Sequence, residues 1–155
     1  MNNVGVANLT EFLNAKTEDI HNLVTANCYP VVLLTKAILS SFEKRWKEKK
    51  VRSLIVNASA MASHGAARIL NVYCSSKLYT DFITHGLGYE LASFGVDVCA
   101  FRPAGVRTNM TAGMIADDDV ASVSADELVE AVFSKCTSGV HHGHWKHEVV
   151  GLIID

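Results

Sequence analysis

Apolar positions in the first third of the chain recur at helical spacing: Ile20, Leu23, Val24, Val31, Leu34, Ile38 and Leu39. They follow Thr17-Glu18-Asp19, a threonine cap with acidic residues that suit the positive end of a helix, and they predict a helix from Thr17 to about Trp46. Pro30 interrupts the run. It has no N–H for the carbonyl of Ala26, so either the helix bends beside Asn27 or Pro30 opens a second helix that Asn27 caps. The basic stretch from Lys44 to Lys50 suits a helix C-terminus and a solvated turn. Leu54-Ile55-Val56 then reads as a short buried parallel strand, and Val96 to Phe101 as another. Between them, a run from Tyr73 to Phe94 supplies the helical crossover that parallel strands require. Ser124-Ala125-Asp126-Glu127 opens a late helix carrying Leu128, Val129, Val132 and Phe133. Val149 to Ile154 is apolar, as either a buried strand or a chain end that packs on a partner.

Composition narrows the class. With 155 residues, 49% hydrophobic and 19% charged, the chain is long enough for one modest domain and too apolar for disorder. A net charge of -2 gives nucleic acid no basic footprint. Cys28, Cys74, Cys99 and Cys136 lack Cys-x-x-Cys spacing and read as reduced, buried small hydrophobes. No secretory signal opens the chain, and no apolar run reaches the roughly 20 residues that span a bilayer, so no transmembrane segment is expected. His141, His142, His144 and His147 invite a metal reading. Neither cysteine partners nor a spaced acidic pair accompany them, so they are expected to be exposed turn histidines, with no metal site.

The chemistry centres on Tyr73-Cys74-Ser75-Ser76-Lys77, at the start of the amphipathic run. Residues four apart share a helix face. An ammonium there favours the phenolate, so a tyrosine that holds its proton to about pH 10 in water can trade it near neutrality. The lysine can also donate hydrogen bonds to a ligand hydroxyl.

Four features in order carry a family resemblance: Asn2-Asn3-Val4-Gly5, Asn27, Tyr73-x-x-x-Lys77, and Pro103-Ala104-Gly105-Val106-Arg107-Thr108. With them the sequence resembles the short-chain dehydrogenase/reductases, most nearly the hydroxysteroid dehydrogenase and 3-oxoacyl-CoA reductase branch. The resemblance implies an α/β fold, the C-terminal half of a doubly wound parallel sheet, over residues 1–155. The chain begins where the fourth strand of that fold should end, so the glycine-rich dinucleotide turn is expected upstream of Met1.

The resemblance also implies roles. Tyr73 is the acid or base, Lys77 holds the nicotinamide ribose and depresses the tyrosine's pKa, and Asn27 anchors a relay water. Asn2, Gly5, Pro103, Val106 and Thr108 join Tyr73 and Lys77 around the cofactor, NADP or NAD. The residues that choose between the two, and much of the binding site, lie in the missing half. Ala104 replaces the expected glycine. The expected substrate is a lipid-like carbonyl or alcohol, a 3-oxoacyl thioester or a steroid.

One departure bears on activity. The family serine that holds the substrate carbonyl stands thirteen residues before the tyrosine, where this chain has Ala60. A methyl group cannot donate that bond. Ser59 should point the other way in extended backbone, and Ser63 reaches inward only if the loop folds back, so rescue by either and true loss both stand. Two functions follow: an NAD(P)(H)-dependent oxidoreductase, or a catalytically dead relative acting as a binding or dimerisation partner. Helices at 17–46 and 73–94 form the dimer faces in this family, so a homo- or hetero-oligomer is expected, in the cytoplasm or at the endoplasmic reticulum.

Overall fold

The computed structural model describes residues 1–113, 115–116, 119–136 and 138–154, with 153 and 154 described by backbone alone. Strands β1 (Ser53–Ala58), β2 (Val96–Phe101) and β5 (Gly139–His141) form a parallel sheet in the order β1-β2-β5. Val56 lies opposite Cys99, and Phe101 opposite His141. On the free side of β1, Asn2 makes a parallel bridge to Asn57: its N–H donates to the Val56 carbonyl at 2.7 Å, and its carbonyl accepts from Ala58 N–H at 2.9 Å. A separate pair, β3 (Val106–Arg107) and β4 (Val123–Ser124), is also parallel.

Helix α1 (Thr17–Lys49) and helix α2 (Asn71–Leu91) pack against each other, and α2 lies along β2. Period-2 alternation divides the sheet residues between two faces. Ile55, Val96 and Val98 join Leu91, Leu39 and Phe42 on the side of α1 and α2. Val56, Cys99 and Phe101 join Val123, Leu128 and Val132 on the side of α3 (Ala125–Lys135). Helices therefore cover both faces, the doubly wound arrangement expected.

Several expectations change in detail. Helix α1 runs unbroken through Pro30, so Asn27 caps nothing. An internal proline costs about 3 kcal/mol. The buried face of Leu23, Asn27, Val31 and Thr35, spaced by four, spans the proline and holds the helix together. Thr17 is the first helical residue rather than the cap; Lys16 stands at that position without a side-chain bond. Lysines close α1 as expected, with Lys50 in the left-handed region at φ 55°. Because α1 is continuous, it is long and apolar enough by length and composition to cross a membrane, contrary to the expectation that no run is.

Toward the C-terminus, Ser124 caps α3 through a reciprocal bond with Glu127. The 149–154 stretch is helical, part of α4 (Trp145–Ile154), rather than a strand. The histidines are not exposed turn residues: His141, His142 and His144 are half-buried and His147 is fully buried. Among the described residues, no group of three or more His, Cys, Asp or Glu could hold a metal ion. Cys74 and Cys99 are buried as expected, whereas Cys28 and Cys136 are only half-buried; all four are free thiols.

Candidate active site

Parallel α/β sheets leave a crevice beyond the C-terminal ends of their strands. Here that crevice is a cleft of about 450 Å³ beyond β1 and β2, at the start of α2. Gly5, Ser59, Tyr73, Lys77, Pro103, Val106 and Thr108 line it, so the structure brings most of the expected residues together. Asn2, Asn27 and Ser63 are not on its wall.

Lys77 is buried, and its Nζ donates to the Ala58 carbonyl at 3.0 Å. The same ammonium lies 5.7 Å from the centroid of the Tyr73 ring. Burial pulls the lysine's pKa down, opposed first by the Asp81 carboxylate and then by the Cys28 thiol wherever that ionises. Burial also pushes the Tyr73 phenol above its ordinary value, with Cys74 adding to the rise. This reverses the expected depression. Desolvation disfavours the phenolate, and the ammonium's hydrogen bond goes to the Ala58 carbonyl.

Gly5 is constrained by space. A Cβ there would stand 3.3 Å from both Asn27 Oδ1 and Lys77 Nζ. The backbone turn therefore passes close over the lysine, which a side chain would crowd.

Asn27 works as a clamp. Its Oδ1 accepts from Val6 N–H at 2.8 Å, and its Nδ2 donates to the Val6 carbonyl at 3.0 Å and to Ser76 Oγ at 2.9 Å. Both amide protons are spent on the protein, so its side chain does not hold a water as a donor. Pro30 leaves the neighbouring Ala26 carbonyl without its helical donor. Asn2 acts one step from the cleft, donating from Nδ2 to Asn57 Oδ1 at 2.8 Å and fixing the segment beside β1.

No serine hydroxyl is delivered where Ala60 stands. Ala60 lines the cleft and is buried. Ser59 borders it too, yet its hydroxyl donates to the Lys77 carbonyl at 3.1 Å. Ser63 is buried off the wall, its Oγ lacking a partner. Ser63, in the turn Met61–His64, is therefore not among the residues that line the cleft.

The loop after β2 is pinned at several points. The Pro103 carbonyl accepts from Met61 N–H at 2.8 Å. The Gly105 carbonyl accepts from Val123 N–H at 3.1 Å and from His147 Nε2 at 3.2 Å. Val106 is held in β3, and exposed Thr108 has its N–H bonded to Thr111 Oγ1 at 3.0 Å.

A second cavity, of about 420 Å³, lies beside the first turns of α1 and α2, with Phe12, Ile20, Leu23, Ile69 and Val72 on its walls. Ile69 sits at φ 61°, a costly conformation for a β-branched residue, with its carbonyl held by Thr10 N–H at 3.1 Å.

With the twofold-covered parallel sheet and this cleft in hand, the chain belongs to the short chain dehydrogenase family, whose pattern it matches over residues 1–119. It is 29% identical over 110 residues to the L-2,3-butanediol dehydrogenase of Corynebacterium glutamicum, covering 71% of this chain and 41% of that protein. To the 17-beta-hydroxysteroid dehydrogenase type 3 of Danio rerio it is 26% identical over 138 residues, 88% of this chain and 43% of the relative. The chain thus spans less than half the length of either. Among solved structures, 3-ketoacyl-(acyl-carrier-protein) reductase from Brucella melitensis, complexed with NADH, superposes with a TM-score of 0.80 at 21% identity, over 90% of this chain and 60-odd percent of that one (62%).

Three residues escape a reading of motifs. Ser76 joins Asn27 to the Tyr73 carbonyl, to which it donates at 2.7 Å. Buried Asp81 and half-buried Arg102 form an ion pair at 2.8 Å. Ser76 stood inside the quoted motif, and Asp81 lies one further turn along the face of Tyr73 and Lys77, so helical spacing alone could have found both.

Proposed function

We propose that this chain carries the proton-transfer half of an NADP- or NAD-dependent oxidoreductase acting on a carbonyl or alcohol of a lipid-like substrate. The observation that carries the reading is Tyr73 and Lys77 on successive turns of α2, both lining one cleft at the strand ends. Gly5 borders the same cleft and, lacking a Cβ, leaves Lys77 Nζ uncrowded for a ligand hydroxyl. Bound in the cleft, the nicotinamide would supply or take up a hydride. Lys77 would hold the ribose hydroxyls, and Pro103, Val106 and Thr108 would border the nicotinamide.

In the reducing direction Tyr73 gives its phenolic proton to the carbonyl oxygen. Its raised pKa suits it to keep that proton until charge develops on the oxygen. The Ala26 carbonyl, left open by Pro30, is the acceptor for a relay water, with the Asn27 side chain holding the surrounding backbone.

The two relatives differ in the size of substrate their names imply. The larger, apolar class rests on the relatives rather than on the cavity lined by Phe12, Leu23 and Val72, which shares no wall residue with the Tyr73 and Lys77 cleft. Exposed Tyr29 and Leu33 on α1, with Phe82 and Tyr89 on α2, support association with another copy or a relative.

Ala60 favours a second reading, a catalytically dead binding or dimerisation partner, because no serine hydroxyl faces the reacting oxygen. Assay of the chain with NADPH or NADH and a 3-oxoacyl thioester or steroid ketone separates the two. Turnover that disappears in Tyr73→Phe supports the oxidoreductase; no turnover and no dinucleotide binding overturns it.

A further inference from the structure

We propose that Asp81 is the buried counter-charge of Lys77, a positioning residue that keeps the lysine protonated in the cleft. The proposal rests on the role given to Lys77 above and extends the Tyr73-Lys77 pair by one helical turn. Tyr73, Lys77 and Asp81 are spaced by four on α2 and so share one face.

Asp81 is 2% exposed. Its Oδ2 accepts from Arg102 Nε at 2.8 Å, while its Oδ1 has no hydrogen-bond partner. A carboxylate so placed is costly unless cations lie around it. Arg102 meets one oxygen only. The other cation of that face is Lys77, itself 7% exposed and bonded to a neutral carbonyl. A buried ammonium sheds its proton unless a negative charge opposes the desolvation.

The groups around the pair leave Asp81 as that charge. Tyr73 shares its helix, and Cys28 approaches from α1. Arg102 comes from the end of β2, with His64 Nε2 at 3.3 Å from its Nη1 and the ring of His142 stacked on His64 at 5.2 Å. Near neutrality a phenol and a thiol are uncharged, and neither arginine nor imidazole is ever anionic there. Arg102 has a second effect: it fixes Asp81 to the residue just before Pro103, so the counter-charge is anchored to the cleft wall.

The test reads Lys77 directly, by NMR of its labelled Cε and Nζ through a pH titration of the 155-residue chain. In Asp81→Asn the Lys77 titration is expected to move down by about one pH unit or more. Asp97→Asn, which removes the exposed carboxylate paired with Arg52, should leave it in place. An unmoved Lys77 in folded Asp81→Asn overturns the proposal. If that variant does not fold, Lys77→Met reports the same coupling in reverse at the Asp81 carboxyl carbon. An upward shift there supports the pairing and no shift overturns it. Neither readout needs turnover, so an inactive chain would count against the proposed function and leave this test intact.

Discussion

Asn27 donates to the Ser76 hydroxyl at 2.9 Å across the interface of α1 and α2, and that hydroxyl donates onward to the Tyr73 carbonyl at 2.7 Å. The contact ties the turn at Gly5 and Val6 to the helix that presents Tyr73. Asn27→Ala would take their partner from the part-buried Val6 N–H and carbonyl and remove the buried donor to Ser76. We expect a loss of roughly 2–3 kcal/mol, since an unsatisfied buried group costs about 1–3 kcal/mol. Urea denaturation of the variant beside wild type measures it, and a difference within error would remove Asn27 from the framework.

Ala60 offers the converse experiment. It borders the cleft beside Tyr73 and Lys77, and the neighbouring hydroxyl of Ser59 is committed to the Lys77 carbonyl. Ala60→Ser restores a donor where charge develops on the substrate oxygen. A single such donor changes turnover by about 10² to 10³, so a steady-state assay should register a rise of that order if the chain is an oxidoreductase. Unchanged turnover would move the limiting defect elsewhere.

These residues also mark how far the sequence could be read. Strand β2 and the capped start of α3 were legible because local signals sufficed: a β-branched run and a Ser-x-x-Glu box. Cleft residues were legible through motif spacing, which fixes which helix face they share. Whether α1 continues past Pro30 was left open, and the helix at 149–154 was missed, because tertiary packing decides both. The buried stripe of Leu23, Asn27, Val31 and Thr35 holds α1 across a residue that would break an isolated helix. The depressed tyrosine was misjudged for a related reason. Burial of Tyr73 and the hydrogen bond of Lys77 to Ala58 are properties of the assembled cleft, and no spacing rule reports them.

Gly95 links the two sides of the α1–sheet interface. It turns the chain into β2 at φ 69°, and a Cβ there would come within 2.4 Å of the Trp46 ring. Gly95→Ala therefore meets both a left-handed backbone and an aromatic ring that would have to shift. Overpacking of this kind costs about 1–3 kcal/mol. The thermal midpoint should fall accordingly, and a variant as stable as wild type would show that Trp46 moves freely.

His147 gives the fold a pH dependence whose sign can be worked out. The imidazole is fully buried in α4, and its Nε2 reaches the Gly105 carbonyl at 3.2 Å, which requires the proton on Nε2. Its Nδ1 is buried without a partner, so a second proton would add an uncompensated charge. Burial lowers its pKa below the ordinary 6.5; the Gly105 bond opposes this, while His144, His142 and Lys146 add to the lowering. The unfolded chain thus takes up a proton before the folded one does. The contribution of His147 is present above pH 6.5 and is lost as pH falls through its lower folded value. Urea midpoints measured from pH 8 to pH 5 should decline more steeply for wild type than for His147→Gln, in which an amide can still donate to Gly105 but does not titrate. Parallel curves would mean that His147 takes no part in acid sensitivity, and that α4 is held to the loop beside the cleft by its other contacts.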